Sequence, residues 1–390
     1  MGAGIAQLAA THGWSASLID SNAAALERGL AGIAKELQRQ VDKGRLAPDQ
    51  REAALGRIRP SDAIRDLHEA EIAIEAVIEN LTVKQEVFSA LEDALPAGAI
   101  LATNTSSLSV TRIADSVSDP SRVIGMHFFN PAVVMPLVEI IAGRQSDAAY
   151  LDQAAAIACS WGKTVVHARD TPGFIVNRVA RGYYLEALRA LGEGIGGVDE
   201  IDAVMRTHGG FKMGPFELMD LVGLDVNLAV STSVWEQMGK PARLAPHPIQ
   251  QNLVSEGKLG RKTGRGFYRY EDARAVAAYP VDRRSFHLSP LLSETMRSFS
   301  QRAGAHDAGS TEQYVFSRIL GAIINEAGLA LGDGIASAQD IDLAMVAGTN
   351  YPKGPLAWAE SIGYRTVRGL LSAINEAVPD RRFAPAPVFS

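Results

Sequence analysis

From residue 1 to about 171, short β-branched runs alternate with longer stretches whose apolar positions recur at helical spacing. That pattern belongs to a parallel sheet covered by helices on both faces. Strands are expected at Ala16–Asp20, Glu71–Val77, Ala99–Thr103, Val123–His127, Leu137–Ile141 and Thr164–His167. Between Asp20 and Glu71 the chain is rich in Ala, Glu, Lys, Gln and Arg, which predicts a helical hairpin turning near Gly44–Pro48. After Asp170-Thr171-Pro172-Gly173 long apolar-periodic helices take over, so a domain boundary is expected there, followed by all-α structure. A glycine- and cation-rich turn at Gly257–Tyr268 closes that first helical stretch. The expected domains are an α/β unit over 1–171, a helical unit over 172–270, a linker with one helix over 271–310, a second helical unit over 311–378 and a tail over 379–390.

The second helical unit is expected because the chain repeats itself. Shifted by 140 positions, residues 174–227 align without a gap on 314–367, with 14 identities in 54. Arg178 meets Arg318, Glu186-Ala187 meets Glu326-Ala327, Ile201-Asp202 meets Ile341-Asp342 and Gly214-Pro215 meets Gly354-Pro355. Shared glycines and prolines fix helix ends and turns, so the two segments are expected to share one fold.

Composition narrows the function. The 390 residues carry 38 basic and 44 acidic side chains, a formal net charge of −6, which leaves no broad basic footprint for nucleic acid. A single cysteine, Cys159, excludes an intrachain disulfide and cysteine-based zinc sites, and no metal is expected. No apolar run reads as reaching the roughly 18 to 20 residues of a membrane span, so a soluble, cytoplasmic protein with no membrane partner is expected.

Candidate chemistry sits at the ends of the apolar runs. Glu139 lies in Leu137-Val138-Glu139-Ile140-Ile141, and a carboxylate flanked by such neighbours in a buried strand needs a partner. His127, in Gly125-Met126-His127-Phe128-Phe129, is the natural candidate, although a histidine among phenylalanines is also an ordinary core residue. A carboxylate on one imidazole nitrogen raises the basicity of the other, so the pair reads as a general base for oxidising an alcohol. Ser106, in Asn104-Thr105-Ser106-Ser107, and Asn177, in Phe174-Ile175-Val176-Asn177-Arg178, complete the set; Ser106 could equally shape a turn.

At the N-terminus, Gly2-Ala3-Gly4-Ile5-Ala6-Gln7 opens a helix with small residues, and Ala16–Asp20 then reads as a strand ending in an acid. These are the later parts of a dinucleotide site. Together with the Ser106, His127, Glu139 and Asn177 motifs, in that order, they resemble the 3-hydroxyacyl-CoA dehydrogenase family. There a run of the form GxGxMGxGIAQ follows the first strand of a Rossmann-like domain, which places Met1 inside the fingerprint and the first strand and first two glycines upstream of residue 1. From this polypeptide as written, weak or no NAD binding is expected.

The resemblance implies NAD-dependent oxidation of an (S)-3-hydroxyacyl-CoA, as in β-oxidation or aromatic-acid degradation such as that of phenylacetate. His127 would be the acid/base, Glu139 its orienting partner, and Ser106 and Asn177 would bind the substrate oxygens. Gly2, Ala76, Glu79, Lys84 and Asn104 would face the cofactor, although Glu79 and Lys84 read from the residues alone as a surface pair. Asp20 would bind the adenosine ribose, and with no arginine beside it NAD is favoured over NADP. Lys35, Arg39 and Lys43 recur along one helix face, a solvated face in the plain reading and a lip for CoA phosphates by resemblance, with Lys43 the foremost. Lys258, Arg261, Lys262 and Arg265 form a second basic cluster. The long form leans toward 3-hydroxybutyryl- or 3-hydroxyadipyl-CoA. In the second copy Ser317 stands at Asn177's place, so that copy is expected to be structural, pairing with the first inside one chain or joining a homodimer. A non-catalytic acyl-CoA-binding relative and a dehydrogenase for free hydroxy acids remain the alternatives.

Overall fold

In the computed structural model, which describes residues 1–271, 274–285 and 287–390, the chain forms two units, Met1–Thr171 and Pro172–Ser390. Seven strands run through the first: β1 (Ala16–Ile19), β2 (Ile58–Ser61), β3 (Ile72–Glu75), β4 (Ile100–Thr103), β5 (Val123–Phe128), β6 (Leu137–Ala142) and β7 (Thr164–Arg169). Six are the expected apolar runs. β2, Ile-Arg-Pro-Ser, has no alternation to announce it and accommodates Pro60 because its pair with β1 leaves it an edge strand. Six helices join and flank them: α1 (Gly2–Thr11), the hairpin α2 (Ala23–Asp42) and α3 (Pro48–Gly56), α4 (Leu81–Ala94), α5 (Val110–Ala114) and α6 (Ala148–Ser160). Asn22 caps α2 and Asn80 caps α4 through side-chain oxygens, and Pro48 opens α3 where its missing N–H costs nothing.

Two features depart from a single parallel sheet. β3-β4-β5-β6-β7 form one sheet in that order, and β6 runs antiparallel to β5. The connection between them, residues 129–136, is shorter than the dozen or so residues a parallel crossover needs. The second departure is an interruption: β1 and β2 pair only with each other. Among the described residues no backbone ladder joins β1 to β3. Side chains span the break instead. Ile5, Leu8 and Ala9 of α1 share an apolar cluster with Ala16, Ile72, Ile74 and the centre of β4, β5 and β6. Ala10 packs with Ile33, Leu37, Ala54 and Ile58 on the other side. α1 is thus the element that both sheet fragments share.

The second unit contains α7 (Val176–Val179), α8 (Arg181–Gly192), α9 (Val198–Thr207), α10 (Pro215–Val222), α11 (Leu224–Gln237) and α12 (Pro248–Ser255), then the hairpin β8 (Tyr268–Glu271) and β9 (Arg274–Ala277), then α13 (Pro290–Arg302), α14 (Ser310–Gly332), α15 (Ala338–Thr349), α16 (Pro355–Ile362) and α17 (Tyr364–Ala377). The repeat is a structural one. Asp202 accepts hydrogen bonds from the N–H groups of Phe216 and Glu217 at the start of α10, and Asp342 does the same for Leu356 and Ala357 at the start of α16. A Cβ on Gly214 or Gly354 would sit 2.2 Å from the matching aspartate, which explains why both copies keep Gly-Pro at that point.

The two copies pack on each other through α8 and α14. Arg178 Nε lies 2.6 Å from Glu326 and its guanidinium 2.8 Å from Asp333; reciprocally, Arg318 lies 3.0 Å from Glu186 and also reaches Glu193. These four contacts are related by the same 140-residue shift, the self-complementary pattern of a twofold interface. Gly182 lies on that pseudo-axis: a Cβ there would come within 2.9 Å of the backbone of Ala322, its own counterpart.

Residues 271–310, expected as a linker, carry β9 and α13, and α13 packs on α14 and α17 with Ser300 Oγ 3.1 Å from Ser317 Oγ. Residues 379–390 bury Phe383 and Phe389 and place Arg382 2.7 Å from Glu186. α14 corrects the expectation that no apolar run is long enough to span a membrane: by length and composition it is, yet it is a core helix enclosed by both copies, and most of its apolar stretch is buried.

Arg318 is fully buried against Glu186, so Arg318→Met is expected to cost about 1.5–3 kcal/mol in urea unfolding, because it removes charge-assisted hydrogen bonds from a buried acid that keeps Arg189 and Arg382. Burial pushes the Glu186 carboxyl up, but Arg318, Arg189 and Arg382 outweigh it and hold it down at about 2. A depressed acid stabilises the fold above its unfolded value of 4.5 and loses that contribution as pH falls toward 2. The melting temperature should therefore decline across that window, and less steeply in Glu186→Gln.

Candidate active site

The antiparallel register of β5 and β6 sets His127 directly opposite Glu139. Side chains of directly opposed residues share a face a few ångströms apart. Glu139 is 0% exposed and His127 5%, and His127 Nδ1 lies 2.6 Å from Glu139 Oε2. A carboxylate only accepts, so Nδ1 carries the proton and donates it, which leaves Nε2 as the basic nitrogen. The Phe129 ring lies against the imidazole with centroids 4.5 Å apart. The neighbours of Glu139 in β6, Leu137, Val138, Ile140 and Ile141, are buried without exception, so this acid has no aqueous alternative to its protein partners.

Ser106 sits on the loop after β4, the parallel neighbour of β5. Glu79 holds that loop. Its Oε1 accepts hydrogen bonds from Thr105 Oγ1 at 2.6 Å and from Ser106 N, Ser107 N and Ser107 Oγ, each at 3.0 Å. Ser106 Oγ is 3.4 Å away. Burial pushes the Glu79 carboxyl up, but Thr105, Lys84 and the two serines outweigh it and hold it below the usual carboxylate range. Lys84 is not a surface partner: its side chain is 1% exposed, and its Nζ lies 2.7 Å from Glu75 and 3.3 Å from Glu79. A buried ammonium needs such acids, and the plain reading of the pair overlooked Glu75.

The remaining candidates fall in several places. Gly2 begins α1 and faces Ala76, whose Cβ would be 3.8 Å from a Cβ on Gly2. Asp20 directly follows β1 with an exposed carboxylate that accepts the Asn22 N–H at 2.9 Å. Asn104 uses its side-chain oxygen to accept the Phe128 N–H at 2.8 Å, tying the ends of β4 and β5 together. Lys35 and Lys43 are exposed on α2, whereas Arg39 is held by Glu36 through two contacts, at 2.8 and 2.7 Å. Asn177 lies on α7 in the second unit, its carbonyl accepting from Arg181 Nε at 2.8 Å; Arg181 in turn holds Asn227 and Ser231 of α11. The second basic cluster has its own partners: Lys262 meets Asp225, Lys258 meets Glu256 and Arg261 lies over Tyr270.

A family profile for the 3-hydroxyacyl-CoA dehydrogenase NAD-binding domain matches residues 1–171, and one for the C-terminal domain matches 173–270 and 314–390. The chain belongs to the 3-hydroxyacyl-CoA dehydrogenase family. It is similar to 3-hydroxyadipyl-CoA dehydrogenase of Escherichia coli (strain K12), 37% identical over 99% of this chain and 94% of that protein. It is 40% identical to a probable 3-hydroxybutyryl-CoA dehydrogenase of Bacillus subtilis (strain 168), over 70% of this chain and 94% of the relative. The crystal structure of 3-hydroxybutyryl-CoA dehydrogenase from Escherichia coli K12 superimposes with a TM-score of 0.88 at 36% identity, covering 100% of this chain and 95% of that one.

The residues present suit the family's cofactor. The Asp20 carboxylate is turned out at a strand end, and the first turn of α1 has no side-chain cap on its N–H groups. Sequence reasoning missed Glu75, Thr105 and Ser107, and also Asp170, which accepts from Ser109 Oγ and the Val110 and Thr111 N–H groups at the head of α5. Glu75 was open to discovery by the argument used for Glu139, since it too is an acid in an apolar strand. Asn104→Ala should cost about 1–2 kcal/mol and speed hydrogen exchange at the Phe128 amide, which would lose its acceptor.

Proposed function

We infer that this protein catalyses NAD-dependent oxidation of a 3-hydroxyacyl-CoA to the 3-oxoacyl-CoA, with His127 as general base. The observation that carries the assignment of His127 is its 2.6 Å contact with the fully buried Glu139. With Nδ1 committed to the carboxylate, Nε2 takes the substrate hydroxyl proton, and Glu139 stabilises the imidazolium that forms. In the reverse direction His127 returns that proton. NAD, when bound, supplies the hydride acceptor.

Ser106 and Asn177 are assigned to the substrate oxygens. Asp20 would bind the adenosine ribose, and Gly2 with the α1 N-terminus would meet the pyrophosphate. Ala76, Glu79, Lys84 and Asn104 would border the nicotinamide side. For the CoA phosphates we assign Lys43, an exposed cation ending α2, with Lys35 on the same helix. The names of the similar proteins direct the substrate choice to 3-hydroxyadipyl- and 3-hydroxybutyryl-CoA. We take the helical copies as an internal pair, which the reciprocal Arg178–Glu326 and Arg318–Glu186 bridges support.

His127→Gln should lower kcat by about 100- to 10,000-fold in NADH formation while calorimetry finds thioester affinity little changed. Near-normal turnover in that variant would rule out the assignment. A wild-type protein that oxidises the free hydroxy acid as well as the thioester would rule out the CoA-dependent reading.

A further inference from the structure

We propose that Glu75 is a positioning residue of this site: it holds the Lys84 ammonium and so leaves Glu79 to organise the loop that carries Ser106. The proposal deepens the functional reading above and rests on it for the role of Ser106. Three groups donate to the buried Glu75 carboxylate. Lys84 Nζ and the Val77 N–H reach Oε1, both at 2.7 Å, and Thr103 Oγ1 reaches Oε2 at 2.8 Å. Thr103 is Glu75's register partner across β3 and β4, so this acid is fixed by the ladder. Glu79 belongs instead to the turn between β3 and α4. Its two oxygens face different ways, Oε2 toward Lys84 at 3.3 Å and Oε1 toward the Thr105–Ser107 loop.

Lys84 therefore lies between two acids, with the rigid one nearer. A buried ammonium cannot go without an anion. If Glu75 loses its charge, Glu79 is the acid Lys84 can still recruit, and the recruitment takes that carboxylate off the Ser106 and Ser107 N–H groups. If Lys84 loses its charge as well, nothing competes with the loop for Glu79. The two changes are thus expected to cancel at Ser106, a non-additivity that follows from sharing one network. Glu75 also reaches the loop through Thr103, whose Oγ1 donates to Glu75 Oε2 and accepts the Thr105 N–H at 3.2 Å; the amide oxygen of Glu75→Gln can still accept from Thr103, so the loss of charge is felt through Lys84 and Glu79.

Amide hydrogen exchange on the full chain tests this. In Glu75→Gln the Ser106 and Ser107 amides should exchange about tenfold faster, while Leu101 and Ile124 in the neighbouring strands keep their rates. In Glu75→Gln/Lys84→Met the protection at Ser106 and Ser107 should return. Lys84→Met alone should retain it, which keeps the test informative if Glu75→Gln does not fold. Unchanged exchange at the two serines in Glu75→Gln, a rise spread equally over β4 and β5 that the double variant does not reverse, or lost protection in Lys84→Met would each overturn the proposal. The thioester KM of Glu75→Gln, expected to rise more than kcat falls, reports separately on whether the Ser106 loop is the substrate site.

Discussion

A carboxylate sealed from water must be answered by a partner, and this single constraint recurs wherever the fold is most specific. Glu139 has no route to solvent in β6, and the strand that answers it is the one placed antiparallel beside it. Had β6 joined β5 in parallel, the chain would have needed a crossover longer than residues 129–136 can supply, and the direct His127–Glu139 register would be gone. The short connection, the reversed strand and the polarised imidazole are therefore one arrangement seen at three scales.

The same constraint appears at the end of β3. Glu75 and Lys84 neutralise each other inside the α/β unit, and Glu79 is left half in the protein with an oxygen that accepts from Thr105 Oγ1 and from the Ser106 and Ser107 N–H groups. Loops are usually the least determined part of a site. This one is tied by charge-assisted hydrogen bonds to Glu79 in the β3–α4 turn, an acid that also reaches the buried Lys84, which is how a surface turn comes to hold a serine in one place.

In the helical unit, buried acids and arginines define how the two copies meet. The bridges of Arg178 and Arg318 are reciprocal, and the close approach of Gly182 to its own counterpart puts the pseudo-axis between α8 and α14. Ion pairs of this kind add little net stability compared with apolar packing, but they penalise any other registration of the helices, because a shift would leave charges unanswered. Divergence after duplication is visible where the copies differ. Asn177 stands in the first, and in the second its counterpart Ser317 is buried against Ser300 of α13.

Much of this was legible from residue order. Alternation and helical spacing located six strands of the α/β unit, and the acid in an apolar strand pointed to His127. The 140-residue repeat carried its own explanation in Asp202 and Gly214, because a helix cap and the glycine that makes room for it must be kept together. β2 was invisible because four residues including a proline carry no period. Glu75 carried a signal in the sequence, an acid in an apolar strand, but not the identity of its partners. Its importance lies in the approach of Lys84 from a helix and Thr103 from the next strand, and distances between segments far apart in the chain are decided by packing. The sequence by itself determined which groups could not tolerate burial alone; only the tertiary structure decided which partner each one met, because pairing depends on strand direction and register, which local patterns do not encode.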